Sequence, residues 1–261
     1  MSFRSFATRA EDEVPFLDPT VETTHRPWPL PEVPWIQRMR WHDHLFVHWP
    51  FKAGSLRPLV PASLDMDTFE NEAWVGITPF RISKVGVRYL PDLPLVPSSL
   101  MIAVRTYVVA EDKPGVWFFS IDASNKIIAI LGRSAFRLPF FNADMALEEG
   151  YGGRSFWAQR ADRRAPRGVF EALYSPFGDS FRPAKGTLEA FLTDRYCLYT
   201  TSGGSVYRTE LHHKPLLLWT ADGTCLINDY LSCNHLDTPR TLPLLHFARN
   251  LDVVMYAAQP L

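Results

Sequence analysis

The chain has 261 residues, of which 46% are hydrophobic and 13% aromatic, and its formal net charge is -1. The near-zero charge argues against nucleic-acid binding, and no apolar run reaches the roughly 20 residues of a membrane span. The three cysteines lack CxxC spacing and the N-terminus lacks an apolar leader, so we predict a cytoplasmic protein without disulfides or structural zinc.

The chain order of predicted elements indicates a mainly β protein. Residues 1–34 are rich in proline and are predicted to form an extended segment over the surface of a single domain at 35–261. Gly203-Gly204 is a strong hairpin signal. Strands are predicted at 41–49, 73–88 (with a break at Pro79 that marks an edge or bulge), 100–110, 116–122, 126–138, 156–160, 169–174, 195–200, 205–213 and 253–256. Short helices are predicted at 54–59, 188–192 and 225–232, and a proline-rich loop at 89–99. Helical periodicity is never sustained beyond about three turns, which favours an antiparallel, barrel-like architecture.

Charged residues lie within the most apolar strands, which indicates a polar pocket inside the β core. Alternate residues of a strand share a face, so Arg105 and Tyr107 point together, as do Ser120 and Asp122. Arg133 lies on the next predicted strand. Buried charges need a partner or a wet cavity. The set therefore either lines a ligand pocket or forms internal ion pairs, such as Arg133 with Asp122.

Histidines suggest two further kinds of site. His42, His44 and His48 are spaced by even numbers on one predicted strand, a geometry compatible with a metal. No Cys or carboxylate cluster completes that site, so we predict no metal there and favour a surface or edge strand.

A second candidate is an acid–base pair on the strand at 205–213. Glu210 shares a face with His212, and His213 points to the opposite side. Glu210 and His212 are therefore the candidate catalytic residues, the alternative being that the histidine is structural and hydrogen-bonded. Trp117 is a candidate for lining the ligand cavity.

Seven separated segments, in order, resemble a family of uncharacterised bacterial proteins, the YqjF-like proteins. That family is distantly similar to acetoacetate decarboxylase, which implies a closed, cone-like antiparallel β barrel around a small carboxylate-binding pocket. The segments are LFVHWPF (45–51), AWVGITPFRI (73–82), RTYV (105–108), GVWFFSIDASN (115–125), FLTDRYCLYT (191–200), YRTELHHKP (207–215) and HFARNLDVV (246–254).

One segment resembles the catalytic run of the decarboxylase but lacks its chemistry. Gly132, Arg133 and Pro139 match that run, whereas Ser134 stands where a glutamate is expected. Phe140-Phe141 replace the paired lysines. A decarboxylase of that kind forms an imine through a lysine amine, which phenylalanine does not supply.

The sequence thus favours a β-barrel protein that binds a small organic acid, without a cofactor. Such a protein is either a binding protein or an enzyme that works without a Schiff-base lysine. In this hypothesis Arg133 binds the carboxylate, and Arg105, Tyr107 and Asp122 shape the site. The alternative is a non-catalytic scaffold whose cavity Phe140 and Phe141 fill. The resemblance also leaves a homo-oligomer open.

Overall fold

A computed structural model describes residues 14–90, 98–150 and 152–261, and most of these lie in β-strands. The predicted mainly β class is confirmed. The strands in these ranges are β1 (Gln37–Phe51), β2 (Asp65–Met66), β3 (Ala73–Val87), β4 (Ser98–Ala110), β5 (Lys113–Ala123), β6 (Phe140–Gly150), β7 (Gly153–Arg160), β8 (Val169–Phe181), β9 (Cys197–Ser202), β10 (Ser205–His213), β11 (Leu218–Asn228), β12 (Leu244–Met255) and β13 (Gln259–Pro260). The helices are α1 (Ala53–Leu56), α2 (Lys126–Phe136) and α3 (Leu188–Thr193), with 3-10 turns at Pro19–Val21, Arg57–Leu59 and Ser232–Asn234.

The strands form one sheet that closes on itself twice. The pairings of β4 with β5 and of β10 with β12 complete the closure. One circuit comprises β1, β3, β4, β5, β9, β10 and β12. The other comprises β1, β3, β4, β5, β6, β7, β8, β11 and β12. The sheet departs from the antiparallel expectation where β5 runs parallel to β6 and to β9.

The strands common to both circuits form a shared wall, which consists of β1, β3, β4, β5 and β12. Because successive side chains of a strand point to opposite faces, each wall strand contributes to two apolar cores. In β4, Ile102 and Val104 belong to the core of the larger circuit, whereas Met101 and Ala103 belong to the core of the smaller one. The site described below lies in the smaller circuit.

Helix α2 replaces a predicted strand. Residues 126–138 are not the second strand of a hairpin, because the Asn125 side chain accepts hydrogen bonds from the backbone N–H groups of Ile127 and Ile128 and caps a helix. Ile128, Gly132 and Phe136 follow at helical spacing and are buried against the sheet. The apolar run alone did not distinguish a short helix from a buried strand.

At Pro79 the prediction of a break is wrong, but the prediction of an edge or bulge agrees with the structure. Strand β3 continues through Pro79, and the register between β1 and β3 shifts opposite this residue, so the missing N–H breaks no bond of that ladder. Residues 225–232 are not a helix, since β11 continues to Asn228. Most of the predicted loop at 89–99 lies outside the described residues.

The segment from residue 14 to residue 34 lies along β10 and β12. Arg26 is buried, and its guanidinium donates to the carbonyl oxygen of Leu211 at 2.7 Å. The Nε2 atom of His25 lies 2.9 Å from the carbonyl oxygen of His213. Residues 1–13 lie outside the described ranges, so the division at residue 34 stays a prediction. In the parts of the chain that are described, no helix has the length and apolar character needed to span a membrane.

Candidate functional site

A cavity of about 260 Å³ lies inside the smaller circuit. Its walls are mostly aliphatic and aromatic, and they come from the shared wall, from β9 and β10, and from one face of α2. Few polar side chains interrupt this surface. The polar lining residues are Gln37, His44, Thr78, Arg105, Thr193, Arg195 and His213. An apolar cavity with a few convergent polar groups is typical of a small-molecule site.

Arg105 supplies an unpaired positive charge to the cavity. The side chain is buried, with 8% of its surface exposed, and its Nε atom has no hydrogen-bond partner. Its Cζ atom lies 5.6 Å from the ring centre of Phe46 and 5.9 Å from that of Tyr107. No carboxylate in the described ranges forms an ion pair with it. Arg195, the other lining arginine, pairs with Asp67 and is thereby compensated.

His44 lies in an aromatic stack beside Arg105. Its ring centre is 4.1 Å from that of Phe46 and 4.7 Å from that of Phe80. Both ring nitrogens are buried and lack a hydrogen-bond partner. Burial, together with the charge of Arg105, lowers the pKa of His44 well below its ordinary value, so the ring is neutral. A neutral imidazole offers one donor and one acceptor to a ligand.

Tyr107 and His48 form a buried pair next to Arg105. The Tyr107 hydroxyl donates to the carbonyl oxygen of Leu192 at 3.0 Å and lies 2.7 Å from Nε2 of His48. Burial raises the pKa of Tyr107, and burial and Arg105 lower the pKa of His48. Tyr107 therefore packs behind Arg105 and does not line the cavity.

The predicted histidine face is broken by a β-bulge. Asp43 has a φ of 48°, and the register between β1 and β3 shifts between His42 and Val47. His42 consequently faces away from the cavity, where its ring nitrogens lie 2.7 Å from Asn250 Oδ1 and 2.7 Å from Ser83 Oγ. The prediction of a surface or edge strand is wrong, because β1 is central and its histidines are buried. Within the described ranges no group of three or more His, Cys, Asp or Glu side chains is placed to hold a metal.

A second bulge separates Asp122 from Arg105. Val104 pairs with Ser120 but Arg105 pairs with Phe118, so β5 carries an extra residue there. Phe118 faces the cavity and Asp122 faces the opposite core. Asp122 forms a two-point ion pair with Arg160, at 2.8 and 2.9 Å, rather than the predicted one with Arg133.

Arg133 and Trp117 are not among the residues that line the cavity. Arg133 is half-buried on α2 and donates to the carbonyl oxygen of Phe140 at 3.1 Å. The predicted strand at 126–138 would have pointed Arg133 into the pocket, but these residues form α2 and the prediction is wrong. Trp117 contacts a separate cluster around Cys197 and Tyr199.

Glu210 and His212 face the N-terminal segment, on the side of β10 away from the cavity. Glu210 forms ion pairs with Arg26 at 3.0 Å and Lys113 at 2.6 Å. His212 Nε2 lies 3.0 Å from the carbonyl oxygen of Pro19. The alternation on β10 was predicted correctly, but it is His213 that lines the cavity. The sequence analysis selected His212 because the carboxylate of Glu210 shares its face of the strand.

Lysine is not part of the cavity lining. All six lysines lie in the described ranges, and the residues that form the walls include no lysine, carboxylate or cysteine. Phe140, at one of the positions aligned with the decarboxylase lysines, lines the cavity. Phe141 instead packs near Arg160, whose Cζ atom is 4.7 Å from its ring centre. The described walls therefore hold no amine that could form an imine.

His213 predicts a pH-dependent stability. Burial lowers its pKa from 6.5 to about 4, so the unfolded chain binds a proton more readily between these values. Its contribution to folding is present above pH 6.5 and is lost as the pH falls towards 4, by about 3 kcal/mol. We expect His213→Asn to reduce the difference in unfolding free energy between pH 7 and pH 4, measured by urea denaturation. His235→Asn, at an exposed position, is the matched control and should leave that difference unchanged.

Comparison with known proteins agrees with this geometry. The model of the family DUF2071, described as uncharacterized conserved proteins, matches residues 38–252. The chain belongs to the DUF2071 family. It is 36% identical over 227 residues to the uncharacterized protein YqjF of Bacillus subtilis (strain 168), covering 87% of this chain and 93% of that protein.

Solved structures show that this DUF2071 protein has an acetoacetate decarboxylase-like fold. The enduracididine biosynthesis enzyme MppR, complexed with the condensation product of pyruvate and imidazole 4-carboxaldehyde, superposes with a TM-score of 0.61 at 11% identity. That match covers 87% of this chain and 90% of MppR. An acetoacetate decarboxylase-like enzyme from Sphingomonas wittichii RW1 gives 0.58 at 13% identity, covering 92% and 98%. At these identities the likeness concerns the fold alone.

Proposed function

We propose that this protein binds a small organic acid in the cavity without forming a covalent bond to it. The observation that carries the proposal is the buried guanidinium of Arg105, which no carboxylate of the described chain neutralises. A buried cation without a partner is costly to the folded state. An anionic ligand supplies the missing charge and accepts two hydrogen bonds from the planar guanidinium.

His44 completes the polar end of the proposed site. Its unpaired ring nitrogens offer one donor and one acceptor to a second polar group of the ligand, such as a carbonyl or hydroxyl oxygen. If the protein is an enzyme, the chemistry available from these side chains is proton transfer and oxyanion stabilisation, because no amine reaches the ligand. MppR is bound to a pyruvate-derived product, which supports an organic acid as the ligand class for this fold.

The open volume supports ligand binding over the scaffold hypothesis. A cavity of about 260 Å³ persists although Phe140 lies in its wall. Core side chains packed to ordinary interior density leave few voids larger than a water molecule.

The three free cysteines agree with the reducing, cytoplasmic location that the sequence predicts. A homo-oligomer remains part of the hypothesis.

We expect a thermal-shift screen to separate acids from their neutral analogues. A ligand that binds only the folded state raises the melting temperature, and a concentration 100 times its Kd adds about 2.7 kcal/mol. At equal concentration, carboxylic acids should raise the melting temperature more than the corresponding amides and alcohols, because the neutral analogues lack the charge that Arg105 requires. Equal shifts for acids and amides would contradict the proposal.

A further inference from the structure

The cavity has a charged inner end and a mostly apolar outer end. Four lining residues are exposed and define its mouth: Ile36 (38%), Val87 (40%), Leu131 (41%) and Ala135. Arg105 and Thr78 lie at the other end of the lining, with 8% and 1% of their surfaces exposed. The mouth therefore lies at one end of β1 and β3, beside α2, and the charged group lies far inside.

The register of the strands sets the distance between these ends. On β3 the lining runs from Thr78 to Val87, which is nine residue steps, or at most about 30 Å at the rise of an extended strand. Thr78 pairs with Ala103, two residues before Arg105, and Val87 pairs with Gln37 at the start of β1. The cavity thus extends along β3 and β4 from the level of Arg105 to the mouth.

The walls between the two ends are mostly apolar, with His213 beside Met39 and Gln37 beside Val87 as polar exceptions. Met39, Ile82, Met101, Ile128 and Phe136 line this stretch, and four of these five side chains belong to flexible or branched aliphatic residues. A ligand that is polar throughout would leave its polar groups without partners there, at a cost in binding. A volume of about 260 Å³ corresponds to roughly nine water-sized groups.

We propose that the ligand is a carboxylic acid with an unbranched apolar tail of about six to ten carbons. Its carboxylate lies at Arg105 and its tail runs along the cavity towards the mouth, where Leu131 lies. This inference rests on the proposed function and specifies the ligand class of the same site. Short polar acids fill only the inner end and leave the apolar stretch unused.

The test is a calorimetric titration of straight-chain carboxylates from acetate to dodecanoate, below their micelle concentrations. We expect the Kd to fall about three- to fourfold with each added methylene, the factor expected for burying one methylene, and to level off at about ten carbons. Decanol and decanamide should bind at least tenfold more weakly than decanoate. A Kd that does not depend on chain length, or that is lowest for acetate, overturns the inference while leaving acid binding in place.

Two neighbouring residues of α2 supply a matched pair of variants. Leu131 lines the mouth, whereas Ile130, which is 54% exposed, does not line the cavity. Leu131→Asn should weaken decanoate binding at least threefold and leave butanoate binding unchanged. Ile130→Asn should change neither. Equal effects of the two variants on decanoate overturn the inference. If wild-type protein binds no acid of any length, the proposed function itself fails.

Discussion

Replacing Arg105 with methionine is expected to weaken the binding of an acid ligand about 100-fold. The guanidinium makes charge-assisted hydrogen bonds to the carboxylate, and losing two of them costs about 3 kcal/mol of binding free energy. Methionine keeps much of the side-chain volume and leaves no buried charge, so the fold should persist or become more stable. Calorimetric titration of the acid that shifts the wild-type melting temperature most is the direct measurement.

Arg133→Met is the matched control for this experiment. Both variants replace a half-buried or buried arginine with the same residue, but Arg133 donates to the carbonyl oxygen of Phe140 and lies outside the cavity lining. We expect its Kd to stay within about twofold of wild type. The reverse pattern, with Arg133→Met losing binding and Arg105→Met keeping it, would restore the hypothesis drawn from the sequence and refute the present one.

The second large effect is expected on stability rather than on binding. Asp122 and Arg160 form an ion pair with 0% and 1% of their side chains exposed, and the hydroxyl of Tyr230 donates to the same carboxylate at 2.9 Å. Asp122→Ala leaves Arg160 charged and uncompensated in the interior, which should lower the unfolding free energy by about 3–5 kcal/mol. Urea denaturation at pH 7 measures this loss.

A double-mutant cycle identifies the ion pair as the cause. Adding Arg160→Met to Asp122→Ala removes the stranded charge, so the double variant should be more stable than the sum of the two single losses predicts, by about 1–3 kcal/mol. Additive losses would show that the two side chains act independently. Because Asp122 faces the larger circuit, folded Asp122→Ala protein should bind acids with the wild-type Kd. A higher Kd for Asp122→Ala would indicate that Asp122 belongs to the ligand site.

The strands whose side chains alternate without interruption were predictable from the sequence. The prediction for residues 205–213 matches β10, and Arg105 and Tyr107, which were predicted to point together, lie next to each other. Alternation of apolar residues follows directly from burial on one face of a strand. These are the regions in which local pattern and tertiary packing agree.

Bulges explain most of the errors in the candidate site. A single extra residue reverses every later side chain of a strand, and neither Asp43 nor Phe119 carries a sequence signal for it. For this reason His42 was grouped with His44, and Asp122 with Arg105. The error for α2 has a different origin, since Asn125 was counted as a turn residue when it is a helix cap. The depth of the cavity and the absence of a carboxylate partner for Arg105 result from packing between strands that are distant in the sequence. Local sequence patterns therefore do not predict them.

The shared wall implies that the two halves of this molecule are not separable. Strand β12, near the C-terminus, contributes to both cores, and so does β1, near the start of the sheet. A fragment that lacks either strand exposes both apolar cores to water. Limited proteolysis should therefore yield either the intact chain or small peptides, with no stable half.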